Sequence, residues 1–418
     1  MKKVLFLAAL VLLSSGSFAQ KKTVSKARNL ALMEENPDFA GARQLIKEAL
    51  ENDETKDLAE TWYVAGLIGY RQNYMERINA SISHTPMDVV KMGESVMESL
   101  TYWKKADELA MQPQKDKKGN VIVDKKGNHK YDLKTRKNIA DKVLEYYTGQ
   151  ELIYYGSQMN DDRNYEDAYR YFTEFLNIPA LPMMQDAKYQ EKMVKDSTYY
   201  LYKYYAARFA YSAEMYDDAI AIFRELSTGN VEASSSAQYL YQCYIDKKDS
   251  VTANNILDEC IKRFPNDEWF LQNRINNLVQ AGDKDAALRY LDQAIAMAPQ
   301  GQYYNSKGSI LSLQGRFEEA FAVFEKALSM EPENALFLSS YGFAYIDKGN
   351  QLNDAATYMD AKEYKKAKVE IDATFAKALP YFEKAYQLAP QNEEYKRNLR
   401  QLYYRLGMKD KYDALAAE

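Results

Sequence analysis

The chain has 418 residues, 46% apolar and 28% charged, with a formal net charge of −5, a composition that excludes disorder and membrane embedding. With only 2 His and 2 Cys, far apart in the chain, almost nothing is left from which to build a structural zinc site, a haem or an iron–sulfur cluster. Tyrosine is in surplus, 36 against 16 Phe and 3 Trp.

The first element in chain order is a leader. Lys2 and Lys3 precede an apolar run from Val4 to Leu13, and Ser17-Phe18-Ala19 places small residues at a cut, the arrangement of a cleavable secretory signal over residues 1–19. The run is too short to span a bilayer, and no cysteine stands near the cut for lipid attachment. The mature chain is therefore expected to be periplasmic or secreted. Losing Lys2 and Lys3 takes the net charge from −5 to −7, which argues against nucleic acid as a partner. Cys243 and Cys260 both sit among apolar residues and are expected to be packed free thiols.

One spacing recurs from Ala42 onward: a small residue, a large apolar one four positions on, and another residue three further. It appears at Ala42-Ile46-Ala49, Ser99-Trp103-Ala106, Ala168-Phe172-Phe175, Ala219-Phe223-Leu226, Ala253-Leu257-Cys260, Ala287-Leu291-Ala294, Ala320-Phe324-Ala327 and Ala378-Phe382-Ala385. Steps of four and three stack on one helix face, so the small residues admit a second helix and the large one fills the gap. A second helix precedes each strong unit, as in Tyr304, Lys307-Gly308, Leu311 and in Leu338, Tyr341-Gly342, Tyr345. Breaks at Gly282 and Gly315 separate the two helices. The unit is a helix hairpin.

Between Ala219 and Ala320 the units follow at 34, 34 and 33 residues; earlier gaps exceed 34 by 23, 35 and 17, and the last by 24. The first excess predicts a helix from Ala59 past Tyr70 toward Ile82, a turn at His84-Thr85-Pro86, and a return through Val89 to Leu109. The second holds Asp116-Lys117-Lys118-Gly119-Asn120 and Asp124-Lys125-Lys126-Gly127-Asn128 around Val121-Ile122-Val123, which predicts a small β-hairpin at about 115–133. His129 lies in the same loop. From Lys115 to Lys137 nine Lys or Arg face three Asp, a basic patch that is either a solvated hairpin or a docking surface for an acidic partner. The third excess, Asn177 to Ser197 with Pro179 and Pro182, predicts a long connection. The fourth, about 347–377, predicts a helical arm, each helix lengthened by roughly 18 Å, with a kink at Pro380. Asn392 to Leu406 and a short helix to Leu415 are expected to cap the last repeat.

Over Ser234 to Pro390 this pattern resembles the tetratricopeptide repeat: an aromatic, Leu-Gly and Tyr on the first helix, then Ala, Phe, Ala and Pro on the second. Pro265, Pro299, Pro332 and Pro390 hold the last position, while Arg274-Ile275 departs from Leu-Gly. The resemblance implies an all-α fold, a right-handed α-α superhelix, here with helical hairpin insertions and one small β-hairpin, that works by binding other proteins. The expected division is a degenerate region over 20–199, a regular array over 200–391 and capping helices over 392–418.

No GxSxG, HExxH or phosphate-binding glycine loop occurs, so neither enzyme activity nor a cofactor or metal is expected. In the resembling family the inner face of the first helices forms the partner groove. Carried onto this chain, that face comprises Tyr204, Arg208, Tyr211, Gln238, Gln242, Gln272, Asn276, Gln280, Asn305, Ser309 and Ser312, with Trp269 at a helix entrance. Amides and hydroxyls both donate and accept, which suits a peptide backbone. The expectation is a periplasmic scaffold or adaptor for a protein or peptide partner. The alternative is a glycan-binding helical-repeat protein of a polysaccharide-utilisation system.

Overall fold

The computed structural model describes residues 21–116, 118–265 and 267–417; the expected leader lies outside them. The fold class is an all-α helical-repeat solenoid. Its helices are α1 (21–32), α2 (Phe39–Glu51), α3 (Ala59–Ser83), α4 (Val89–Ala110), α5 (Leu133–Thr148), α6 (Glu151–Asp161), α7 (Tyr165–Asn177), α8 (Ala187–Gln190), α9 (Ser197–Ser212), α10 (Tyr216–Ser227) and α11 (Ala233–Asp246). They continue with α12 (Ser250–Arg263), α13 (Glu268–Gln280), α14 (Lys284–Met297), α15 (Gly301–Leu313), α16 (Phe317–Met330), α17 (Ala335–Ala356), α18 (Ala361–Leu388), α19 (Glu393–Arg405) and α20 (Lys409–Ala417). Two compact units, Met1–Ala253 and Asn254–Glu418, part within α12.

Local chemistry sets the helix ends. The side chains of Asp38, Asp88, Asp132, Asn164, Asp196, Asp283, Asn334, Asp360 and Asn392 each accept a backbone N–H of the following first turn, contributing about 1 kcal/mol apiece. Gly315 (φ 73°) and Gly407 (φ 70°) occupy the left-handed region between helices, where a side chain would be strained.

Four of the hairpins close on a glycine and an aromatic ring. A methyl group on Gly308 of α15 would fall 2.8 Å from the Phe324 ring of α16, and one on Gly156 of α6 would fall 2.8 Å from Phe172 of α7. Both pairs are 16 residues apart. The same contact joins Gly66 of α3 to Trp103 of α4 and Gly342 of α17 to Phe382 of α18, at separations of 37 and 40. These are the two arms, in which the paired helices run on past the closure before they turn. In the first, α3 ends at His84 in a left-handed conformation (φ 52°) and α4 returns from Val89, as the spacing predicts. In the second, α17 and α18 have 22 and 28 residues and break at 357–360, and α18 continues through Pro380. Gly349 against Phe375 carries the packing up this arm.

The cores follow these contacts. In the first unit Trp103, Tyr155, Tyr171, Ile68 and Met92 are almost wholly buried, and Met183, Met184, Tyr189 and Met193 join the same cluster. The Asn177–Ser197 segment, expected as a long connection, is instead two 3-10 turns and α8 packed on that core. Its methionines fill irregular space that regular helices leave. In the second unit Leu291, Ile275, Phe324 and Tyr341 form one cluster, and Phe375, Phe382, Leu399 and Leu402 another beneath the cap. Where Arg274-Ile275 departs from the repeat pattern, Ile275 is buried and Arg274 clasps Asp258 through Nε (2.8 Å) and Nη2 (3.1 Å), with its guanidinium over the Tyr290 ring.

The predicted β-hairpin does not form as a pair of strands among the described residues. Two isolated antiparallel bridges, Lys115 with Val121 and Val123 with His129, close two tandem turns. In each turn an aspartate takes the hydrogen bonds that a longer ladder would have made. Asp116 Oδ1 accepts from the backbone of Lys118 (2.8 Å) and Asn120 (2.9 Å), and Asp124 Oδ1 does the same for Lys126 and Asn128. The side-chain amide of Asn120, with the backbone donors, holds the Asp116 carboxyl below the usual aspartate range, and the backbone N–H of Asn128, with that of Lys126, does so for Asp124.

Cys243 and Cys260 are free and buried, and burial pushes their thiols up to about 12 and about 11, which makes them unreactive packing residues. The tyrosine surplus is packing material too, but many of its hydroxyls bond across helices. Tyr155 Oη accepts from Asn73 Nδ2 (3.0 Å), Tyr341 donates to Glu325 (3.1 Å), and Tyr403 donates to Glu383 (2.8 Å).

Asp107 of α4 is 3% exposed, and Arg136 Nε of α5 lies 2.9 Å from its Oδ1. Arg136 Nη2 also donates to the Pro182 carbonyl at 2.7 Å, so one guanidinium ties α4, α5 and the 3-10 turns together. Asp107→Ala leaves a partly exposed guanidinium without its carboxylate and is expected to cost about 2 kcal/mol. Urea unfolding of the mature chain checks this; a loss below about 1 kcal/mol would contradict it.

Candidate partner-binding site

In the first unit, α9 and α11 bring the expected residues Tyr204, Arg208, Tyr211 and Gln242 together. Arg208 is exposed, and its guanidinium lies 5.8 Å from the Tyr204 ring and 5.7 Å from the Tyr239 ring. Tyr239 stands at 5.4 Å, edge-on, to Tyr211. The Tyr211 hydroxyl donates to Asp246 Oδ2 (2.8 Å) while Gln242 Nε2 donates to Asp246 Oδ1 (3.1 Å). Burial, and then the Asp246 carboxylate, pushes the Tyr211 hydroxyl up, so it stays a proton donor at neutral pH. Gln238 is half-buried on α11. Tyr204, 7% exposed, packs against Phe223 and serves the ridge from beneath. Two members lie outside the expected set: Tyr239, one tyrosine among 36, and Asp246, a single acid among many.

In the second unit, Gln272 Nε2 donates to Asn276 Oδ1 (3.0 Å), a turn later on α13. Asn276 and Gln280 are exposed. Trp269 is half-buried, edge-on to Phe270 at 5.3 Å. On α15, Ser309 Oγ donates to the Asn305 carbonyl (3.1 Å) and Ser312 Oγ donates to Asp347 Oδ2 of α17 (3.3 Å). Asn305 and Ser312 are 5% and 7% exposed, because the following first helix packs over that part of the face. The open polar surface on this unit is therefore Gln272, Asn276 and Gln280.

A third feature was not foreseen. Near the turn of the first arm, a cleft of about 940 Å³ is lined by Tyr70, Tyr74, Arg77, Met87, Glu145 and Tyr154, among others. Its charges are already matched: Arg77 pairs with Glu151, and Tyr70 and Lys142 hold Glu145. Tyr74 and Tyr154, 47% and 42% exposed, leave its walls largely apolar. Tyr70 and Tyr74, one turn apart on α3, are the only sequence trace of it.

Among the described residues no group of three or more His, Cys, Asp or Glu is placed to hold a metal ion, and no helix is long and apolar enough to cross a membrane. No curated protein matches the chain. Similar solved structures include a TPR repeats protein from Bacteroides fragilis NCTC 9343, at 19% identity over 61% of this chain and 98% of that one, with a TM-score of 0.31. MamA (41-end) from Desulfovibrio magneticus RS-1 is 20% identical over 43% of this chain and 88% of its own, also at a TM-score of 0.31. Residues 273–361 match the model of the tetratricopeptide repeat family, a segment that includes the hairpin closed by Gly308 against Phe324. Residues 273–361 are thus a run of tetratricopeptide repeats.

Proposed function

We propose that the chain is a non-enzymatic scaffold or adaptor of the periplasm that holds another protein on the exposed faces of its first helices. The observation that carries this reading is the ridge on α9 and α11, where Arg208, Tyr239, Tyr211, Gln242 and Asp246 hold one another in place. Side chains fixed before binding lose less entropy on binding, and tyrosine and arginine are the residue types that dominate protein interfaces. The tetratricopeptide repeats support the same reading, since repeats of this kind present extended binding surfaces. The location rests on the leader of residues 1–19.

The test is capture from an envelope extract by the mature chain, with crosslinking and stoichiometry. We expect one protein partner at a fixed ratio, weakened at least about tenfold by Arg208→Ala with Gln242→Ala or by Gln272→Ala with Asn276→Ala, as for loss of contacts worth about 1.4 kcal/mol in sum. Saturable binding of a defined oligosaccharide, abolished by Trp269→Ala, would establish the glycan alternative instead.

A further inference from the structure

The cap helix α19 carries three arginines, and on this acidic chain none of them forms an ion pair among the described residues. Arg405 is used internally: its guanidinium lies 3.7 Å from the centre of the Phe375 ring, and Nη2 donates to Asn353 Oδ1 at 3.5 Å. Arg397 and Arg400, three residues apart on one face, instead line a shallow pocket of about 380 Å³ with Gln401, Tyr404 and Tyr412. Among the described residues no carboxylate lines it, and every lining side chain can donate a hydrogen bond.

Arg400 is held in place by Tyr412. Its Nη2 donates to the Tyr412 hydroxyl at 3.3 Å, and its guanidinium lies 5.1 Å from the Tyr412 ring. The Nε–H of Arg400 is buried with no acceptor. Tyr404, its ring 5.9 Å from that of Tyr412, is 77% exposed, an apolar face beside two unpaired cations. Phosphate satisfies the guanidiniums but leaves that ring bare. A glutamate or aspartate side chain brings the carboxylate for the arginine fork and, in the same residue, a methylene stem for Tyr404 to cover.

We propose that this pocket receives a carboxylate side chain from an acidic segment of the protein partner. The assignment rests on the scaffold reading and gives the partner a chemistry. The volume admits one or two side chains.

Calorimetric titration of the mature chain with blocked hexaglutamate, blocked hexaglutamine and inorganic phosphate tests it. Hexaglutamate should bind, with an affinity that falls steeply as salt rises, while hexaglutamine should not. Arg397→Gln, at an exposed position, should weaken hexaglutamate at least about tenfold, and Arg400→Lys should weaken it also because the charge stays but the fork is lost. Near-ultraviolet dichroism confirms that both variants fold. Absence of hexaglutamate binding, binding that Arg397→Gln leaves unchanged, or displacement of the peptide by equimolar phosphate would overturn the proposal. Partner capture that survives Arg397→Gln while hexaglutamate fails would sink this pocket alone; failed capture by the wild-type chain would sink the scaffold reading.

Discussion

Trp103→Ala is expected to destabilise the first unit by about 4 kcal/mol, the upper part of the range for removing a large buried aromatic. Trp103 is fully buried, its ring centre lies 5.6 Å from Tyr146 and 5.9 Å from Tyr70, and its indole N–H donates to the Tyr63 carbonyl at 3.2 Å. The indole also fills the space that Gly66 leaves open on α3, where a methyl group would fall 2.4 Å from Nε1. Collapse of the neighbours cannot close such a hole, since α3 and α4 are already held together by Gly69 against Ser99 farther along the arm. Trp103→Phe keeps a ring and loses the hydrogen bond, so its cost should be nearer about 1.5 kcal/mol. Urea unfolding monitored by far-ultraviolet dichroism reads both, and equal costs would show that the closure is not made by the indole.

The second large effect is a change of sign. Gly308→Ala places a methyl group 2.8 Å from the Phe324 ring, which forces the ring or the helix to move and is expected to cost about 2 kcal/mol, net of the roughly 1 kcal/mol that alanine gains over glycine inside a helix. In a Phe324→Ala background, itself destabilised by about 4 kcal/mol, the ring is gone and the helix preference remains. Gly308→Ala is then expected to stabilise by about 1 kcal/mol. The coupling of about 3 kcal/mol is that of two residues in direct contact. Additive effects in the double-mutant cycle would refute the glycine–aromatic closure.

Much of this architecture is legible in sequence because a repeat repeats its constraints. The four-then-three spacing places Trp103, Phe172, Phe324 and Phe382 on packing faces, and all four are buried. The period excesses mark both arms, and the turn at His84 falls where the spacing puts it. The glycine partner is hidden by the arms: 16 residues separate Gly308 from Phe324, but 37 separate Gly66 from Trp103, so no fixed offset finds both. The tandem turns at Asp116 and Asp124 were misread because Gly-Asn around a β-branched run signals strands, whereas the side-chain carboxylates had already taken the backbone donors.

The site was less legible, for a different reason. Repeat position identifies which residues face outward, but not which of them meet. Asn305 and Ser312 occupy face positions and are buried by the following repeat, while Asp246 becomes central only because Tyr211 and Gln242 converge on it. The pocket of Arg397 and Arg400 depends on Tyr412 returning from α20 across the cap, a contact that no helical periodicity encodes.

Hydrogen exchange on the mature chain, alone and with its captured protein partner, tests the central claim of protein binding on first-helix faces most directly. Protection gained on binding should concentrate in α9 and α11 around Arg208 and Asp246 and in α13 around Gln272 and Asn276. Protection confined to the second helices α10, α12 and α14, or none in the presence of a saturating protein partner, would contradict it.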